Sequence, residues 1–175
     1  LGFYPATEGR ITIDGKTLTA ENRRQWQNTI GYVSQSVFLT DSTILANIAL
    51  GVEQSNIDME RVERAVAAAS LAEFVSSLPN GLNTRIGECG ALLSGGQRQR
   101  IGIARALYKG AQVLFFDEAT SALDKATEER VLENLMTGDK KRTCIITTHR
   151  PSMLRYCNKI YELQEDGTLK EKAIS

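Results

Sequence analysis

At 175 residues the chain is the size of one domain with room for a small insertion, which excludes a multidomain assembly within it. Its 42% hydrophobic and 24% charged residues are those of an ordinary globule, so disorder and collagen-like repeats are excluded as overall descriptions. Lysine plus arginine and aspartate plus glutamate both number 21; with zero formal charge no global field draws the chain onto nucleic acid or acidic lipid, and any basic contact has to be local.

The chain opens on Leu1-Gly-Phe-Tyr-Pro5, which has no basic n-region for secretion, and from an apolar start without an initiator Met a preceding segment is expected. Arg10-Ile-Thr-Ile-Asp14 alternates polar and apolar residues into Asp14-Gly15, the pair that most favours a tight hairpin turn, with Lys16-Thr-Leu18 returning. A polar helical stretch from about Glu21 to Asn28 leads to Ile30-Gly-Tyr-Val-Ser34, a short buried strand with Gln35 at its carboxyl end. Residues 42 to 80 are helix formers, and Val62, Ala65, Val66 and Ala69 recur at helical spacing as an apolar stripe. This predicts an inserted helical lobe. Pro79-Asn-Gly81 ends it, and Thr84 to Gly90 reads as a loop because two glycines break either regular pattern.

An α/β pattern then resumes. Gln112 to Phe116 is a strand, a helix follows from about Lys125 to Met136, and Thr143 to Thr148 is a second buried strand, a β–α–β unit that implies parallel pairing and a right-handed crossover. Pro151 opens a short helix, and Lys159 to Leu163, a turn at Asp166-Gly167 and Thr168 to Lys170 close the chain as a β segment. The longest apolar runs, such as Val113-Leu-Phe-Phe116, fall far short of the ~18 residues of a membrane span, so any service to a membrane runs through a partner. Cys89, Cys144 and Cys157 match no zinc spacing and are expected to be reduced thiols packed in the core.

Three stretches carry chemistry. In Leu93-Ser-Gly-Gly-Gln-Arg-Gln-Arg100, Ser94 and Gln97 have capping-box spacing, while Gly95 and Gly96 leave the first helical amides uncovered, an arrangement that suits a phosphate. The same octapeptide also reads as loop punctuation with Arg98, Arg100 and Arg105 as a solvated face. Val113 to Glu118 is an apolar strand ending in adjacent carboxylates; successive side chains point opposite ways, so Asp117 and Glu118 should have different jobs, one holding a Mg²⁺ shell and the other polarising water. A capping Asp and an exposed Glu is the plainer alternative. His149, the only histidine, lies just past the last parallel strand and would emerge at the same edge, where it could bond a terminal phosphate or the attacking water. Gln35 ends another strand and could reach metal or water.

The phosphate loop G-x-x-x-x-G-K-[ST] is missing. Gly15-Lys16-Thr17 mimics its end, but the first glycine would have to stand where Arg10 does, and the context is a hairpin turn rather than a strand entering a helix.

In this order the motifs resemble the nucleotide-binding domain of ATP-binding cassette (ABC) transporters over essentially the whole chain. Leu93 to Arg100 resembles the signature motif, Val113 to Glu118 Walker B with its following glutamate, Ser121-Ala-Leu-Asp124 the D-loop, His149 the switch histidine and Gln35 the Q-loop glutamine. Leu78 to Thr84, continued by Gly87-Glu-Cys-Gly90, is most similar to exporter-type cassettes, and Tyr4-Pro-x-x-x-Gly9 with Ile11-x-Ile-Asp-Gly15 resembles the segment just after the Walker A helix.

The resemblance implies a P-loop NTPase (RecA-like) α/β fold with a mainly parallel sheet, an inserted helical subdomain and a small antiparallel β segment, the chain beginning downstream of its own P-loop. It implies an ATPase core over 1–35 and 106–175 with the helical subdomain at 36–105. Glu118 would be the general base, Asp117 and Gln35 would act on Mg²⁺ and water, and His149 would contact the γ-phosphate of ATP. Ser94, Gly95, Gly96 and Gln97 would complete the ATP site of a second nucleotide-binding domain in a head-to-tail dimer, and Asp124 would couple the two sites. Transmembrane domains would hold the chain at the cytoplasmic face of the membrane, with no nucleic acid as partner. Without Walker A the chain alone is expected to be inactive, and a non-catalytic module that lends its signature motif to a complete cassette is the alternative.

Overall fold

The computed structural model describes residues 1–137 and 142–173. Strands β1 (Thr12–Ile13) and β2 (Lys16–Thr17) pair antiparallel with Ile13 opposite Lys16. Asp14 and Gly15 between them have φ of 48° and 78°, the turn whose twist matches that of the strands it joins. Gly15-Lys16-Thr17 is therefore part of a hairpin, as its context predicts.

Helix α1 (Arg23–Thr29) runs straight into β3 (Ile30–Val33). With β4 (Val113–Asp117) and β5 (Thr143–Thr147), β3 forms a parallel sheet of order β3-β4-β5. Register aligns Val33, Phe116 and Ile146 in one row and Tyr32, Phe115 and Ile145 in the next. Alternation gives the sheet two unlike faces. Gly31, Val33, Leu114 and Phe116 are buried on one, whereas Tyr32, Asp117, Ile145 and Thr147 are exposed on the other.

The buried face lies under α5 (Gly95–Tyr108). Close approach is possible because two glycines face the contact: a Cβ on Gly31 would meet Ala106 Cβ at 2.8 Å, and one on Gly102 would meet Val37 Cγ2 at 2.8 Å. Between β3 and α5 lies the expected helical lobe, in pieces rather than one run. Helix α2 (Ile44–Ile48), capped by Thr43, stops before Gly51 (φ 81°), and a 3₁₀ turn precedes α3 (Met59–Ala68), which Asp58 caps. Val62, Ala65, Val66 and Ala69 are all buried, as the stripe predicts. A single apolar cluster joins them to Ile101, Leu107, Leu114 and Phe116, so truncating one of these large side chains should cost about 2–5 kcal/mol.

After α4 (Ala72–Ser77), the stretch read as a loop holds one bridge, Thr43 to Arg85, and a 3₁₀ turn at Glu88–Gly90. Cys89 in that turn corrects an expectation. It is exposed with φ of 51°, so it has no core-packing role; Cys144 and Cys157 are half-buried, their thiols pushed up by burial, and all three are free. Helix α6 (Lys125–Thr137) links β4 to β5, a 3₁₀ segment begins at Pro151, and β6 (Ile160–Leu163) pairs antiparallel with β7 (Leu169–Lys172). No helix among the described residues is long and apolar enough to cross a membrane.

Candidate functional site

Three parallel strands in register deliver their next residues to one edge. Counting from the row Val33, Phe116 and Ile146, Gln35 and Glu118 lie two residues on and His149 three. Glu118 takes the middle place. Gln35 Nε2 donates to its Oε2 at 2.9 Å, and His149 Nε2 lies 3.1 Å from its Oε1. The Glu118 side chain is 32% exposed and that of His149 is 92% exposed, so the cluster opens to solvent on the histidine side.

Asp117 and Glu118 part company, as strand alternation requires. Asp117 stays on the open face, where its carboxylate accepts from Tyr32 Oη at 2.8 Å and Thr147 Oγ1 at 2.9 Å. Those two bonds, Tyr32 first, hold its carboxyl below the usual range, and the same bond raises the Tyr32 hydroxyl. Glu118 leaves the strand with φ of 49°, a left-handed conformation that costs a residue with a side chain energy and turns its carboxylate toward Gln35. Its backbone is pinned on both sides: Glu118 N donates to Thr147 O and Glu118 O accepts from Ser121 N.

Among the described residues no three His, Cys, Asp or Glu side chains gather as a metal cage. The exposed Asp117 carboxylate and the Gln35 side-chain carbonyl are instead the residues that would hold Mg²⁺, which binds one or two carboxylates and takes its other oxygens from water and phosphate.

The start of α5 forms as its spacing predicts. Ser94 Oγ accepts from Gln97 N at 3.2 Å and Gln97 Oε1 accepts from Ser94 N at 2.8 Å, a reciprocal capping box. Gln97 thereby turns its side chain back on the helix. The amides of Gly95 and Gly96 make no hydrogen bond within the described residues, and both glycines are half-buried rather than sealed. Their lack of side chains serves the chain itself: a Cβ on Gly95 would meet Ala122 Cβ at 3.1 Å, and one on Gly96 would meet Ala122 O at 3.1 Å. The glycine pair admits the segment Ser121 to Asp124 as well as leaving amides bare.

That segment is held from below. Arg150, the neighbour of His149, donates to the carbonyls of Thr120, Ser121 and Leu123 and pairs with Glu128 at 3.1 Å. Asp124 caps α6 by accepting from Thr127 N at 3.0 Å, and the Thr127 side chain first, with that backbone bond second, lowers its carboxyl. The solvated-face reading of the arginines on α5 fails. Arg98 donates to Leu93 O and Gly90 O, Arg100 to Ser70 O and Gly96 O, and Arg105 to Asn47 O and Phe38 O; burial lowers both Arg100 and Arg105.

The ABC transporter family profile matches residues 1–121, more than half of the chain. The chain belongs to the ABC transporter family. This ABC transporter chain is 47% identical over 178 residues to the ATP-dependent lipid A-core flippase of Cupriavidus pinatubonensis, covering 97% of the chain and 30% of that relative. It is 43% identical over 169 residues to ABC transporter B family member 13 of Arabidopsis thaliana, covering 97% of the chain and 13% of that protein. Its fold superposes with a TM-score of 0.84, at 38% identity, on a bacterial Atm1-family ABC exporter with ATP bound, over 91% of the chain and 28% of the exporter. The chain thus spans less than a third of the length of each of these three relatives, and its α/β architecture is that of an ABC exporter's P-loop NTPase.

Proposed function

We propose that this chain is the ATP-hydrolysing part of an exporter-type ABC transporter, coupling hydrolysis to movement of a solute across a membrane. The observation that carries the reading is Glu118, a carboxylate held between Gln35 Nε2 and His149 Nε2 at the carboxyl edge of a parallel sheet, the edge where α/β folds bind their ligands. In this reading Glu118 takes the proton of the attacking water as general base, and His149 donates to the terminal phosphate. Asp117 and Gln35 would hold Mg²⁺ and orient water, and the ion, when bound, would supply neutralisation of phosphate charge. Tyr32 and Thr147 keep Asp117 ionised for that task.

Ser94, Gly95, Gly96 and Gln97 serve a second copy. The bare amides of Gly95 and Gly96 at the positive end of a 14-residue helix suit a phosphate presented by a facing cassette in a head-to-tail dimer. Asp124, beside them on the segment that Arg150 secures, links the two sites. The core spans 1–35 and 106–175, and residues 36–105 form the helical part that presses on transmembrane domains at the cytoplasmic face. Nucleic acid is not a partner in this reading. No cargo is assigned, because a lipid A-core flippase and a plant B family member resemble the nucleotide side about equally.

Since G-x-x-x-x-G-K-[ST] does not occur in the chain, the chain in this reading carries the base, metal and signature parts of the site, and little turnover is expected from it alone. The test is Mg²⁺-dependent phosphate release by the chain, by a complete cassette, and by the two together. Mixing should raise turnover, and Ser94→Arg in this chain should abolish the gain. Release unchanged on mixing, or a gain indifferent to Ser94→Arg, contradicts the signature role.

A further inference from the structure

Gln99 is 3% exposed, on a helix whose buried neighbours are otherwise almost all apolar or small. A buried amide is tolerated when its donors and acceptor are used, and here they are. Gln99 Nε2 donates to Gln35 O at 3.3 Å and to Ser121 Oγ at 3.1 Å, while Gln99 Oε1 accepts from Ala122 N at 3.0 Å. The amide has one workable orientation, because a flip would set its NH₂ against the Ala122 N–H.

The partners lie on the two segments that control Glu118. Gln35 holds the Glu118 carboxylate with its own side chain, and Ser121 N closes the turn on Glu118 O. These contacts reach 64 and 22 residues along the chain, so neither follows from local folding. The helix that carries Gln99 begins five residues earlier at the capping box of Ser94.

We propose that Gln99 is a positioning residue that ties the head of the signature helix to both segments flanking Glu118, so that a rotation of that helix moves the Glu118 carboxylate. The idea deepens the proposed function, since the role of Glu118 rests on that reading. The link itself is readable in the chain without nucleotide.

Two substitutions separate it from plain core filling. Gln99→Met keeps length and volume but removes all three bonds. Gln99→Glu keeps the acceptor for Ala122 N and lets Ser121 Oγ donate, while setting a carboxylate oxygen against Gln35 O. NMR of the whole chain would follow backbone exchange at Ala122 and the side-chain amide signals of Gln35. For Gln99→Met, Ala122 exchange should rise about tenfold, the scale of one lost hydrogen bond, and the Gln35 signals should move. For Gln99→Glu only the Gln35 signals should move. Unchanged Gln35 signals in both variants, or exchange that rises equally throughout α5 and the sheet, would overturn the proposal. Should Gln99→Met fail to fold, Ser121→Ala at an exposed position is expected to speed Ala122 exchange, and no change there counts against the link. A failure in this test with phosphate release intact would reject the link and leave the proposed function standing; the reverse outcome would do the opposite.

Discussion

Arg150 Nη1 and Glu128 Oε1 meet at 3.1 Å beneath the turn that follows Glu118, with the Glu128 side chain 4% exposed and that of Arg150 40% exposed. A nearly buried carboxylate thus depends on the residue next to His149. The same guanidinium gathers three carbonyls of the turn, so the pair fixes backbone as well as charge.

Removing Arg150 alone should therefore be worse than removing the pair. Arg150→Ala leaves Glu128 buried and unpaired and is expected to cost about 2–4 kcal/mol, discounted from a fully buried pair because the arginine is partly solvated. Adding Glu128→Gln should restore part of the loss. Urea unfolding of the two variants checks this, and a double variant less stable than the single one would contradict it.

Tyr32→Phe removes the larger of the two bonds to Asp117. Carboxyl carbon NMR should show the Asp117 titration midpoint rising toward the ordinary aspartate range. A depressed folded value contributes stability above the unfolded aspartate range and loses it as pH falls through the folded value. The raised Tyr32 hydroxyl contributes below the ordinary tyrosine range and loses its share as pH climbs through its folded value. The stability gap between wild type and Tyr32→Phe should accordingly be widest near neutrality and close toward both extremes.

Gly31→Ala tests the contact between α5 and the sheet. Its Cβ would lie 2.8 Å from Ala106 Cβ, 2.8 Å from Ala111 Cβ and 2.9 Å from Leu114 Cδ2. Overpacking of this kind costs about 1–3 kcal/mol. Gly167→Ala, where nothing lies within 4 Å, should cost only the strain of its positive φ. Thermal melts of both variants give the comparison.

Local features were legible in the sequence because their causes lie within a few residues: the Asp14-Gly15 turn, the Ser94–Gln97 cap and the Val62 stripe. The convergence of Gln35, Glu118 and His149 was legible too, since each ends a strand of one parallel sheet. The partners of those residues were not. Tyr32 reaches Asp117 only through strand register, and Arg100 and Arg105 find their carbonyls only once the helical lobe has packed. Two signals were available nonetheless. Gln99 stands among Gly95, Gly102 and Ala106 on α5, and Glu128 precedes Val131, Leu132 and Leu135 on α6; a polar group on such a stripe announces a buried partner. The glycines of the signature misled in part, because their open side is shared with Ala122.

The most direct test asks whether Glu118 is the base. The Cupriavidus pinatubonensis flippase, with its matched segment replaced by this chain, would be assayed for Mg²⁺-ATP hydrolysis and for ATP affinity, with and without Glu118→Gln. Hydrolysis should fall by about 10²-fold or more while affinity holds, since the amide keeps the shape and loses the proton acceptor. Turnover that survives the substitution, or that falls only in step with affinity, would contradict the account.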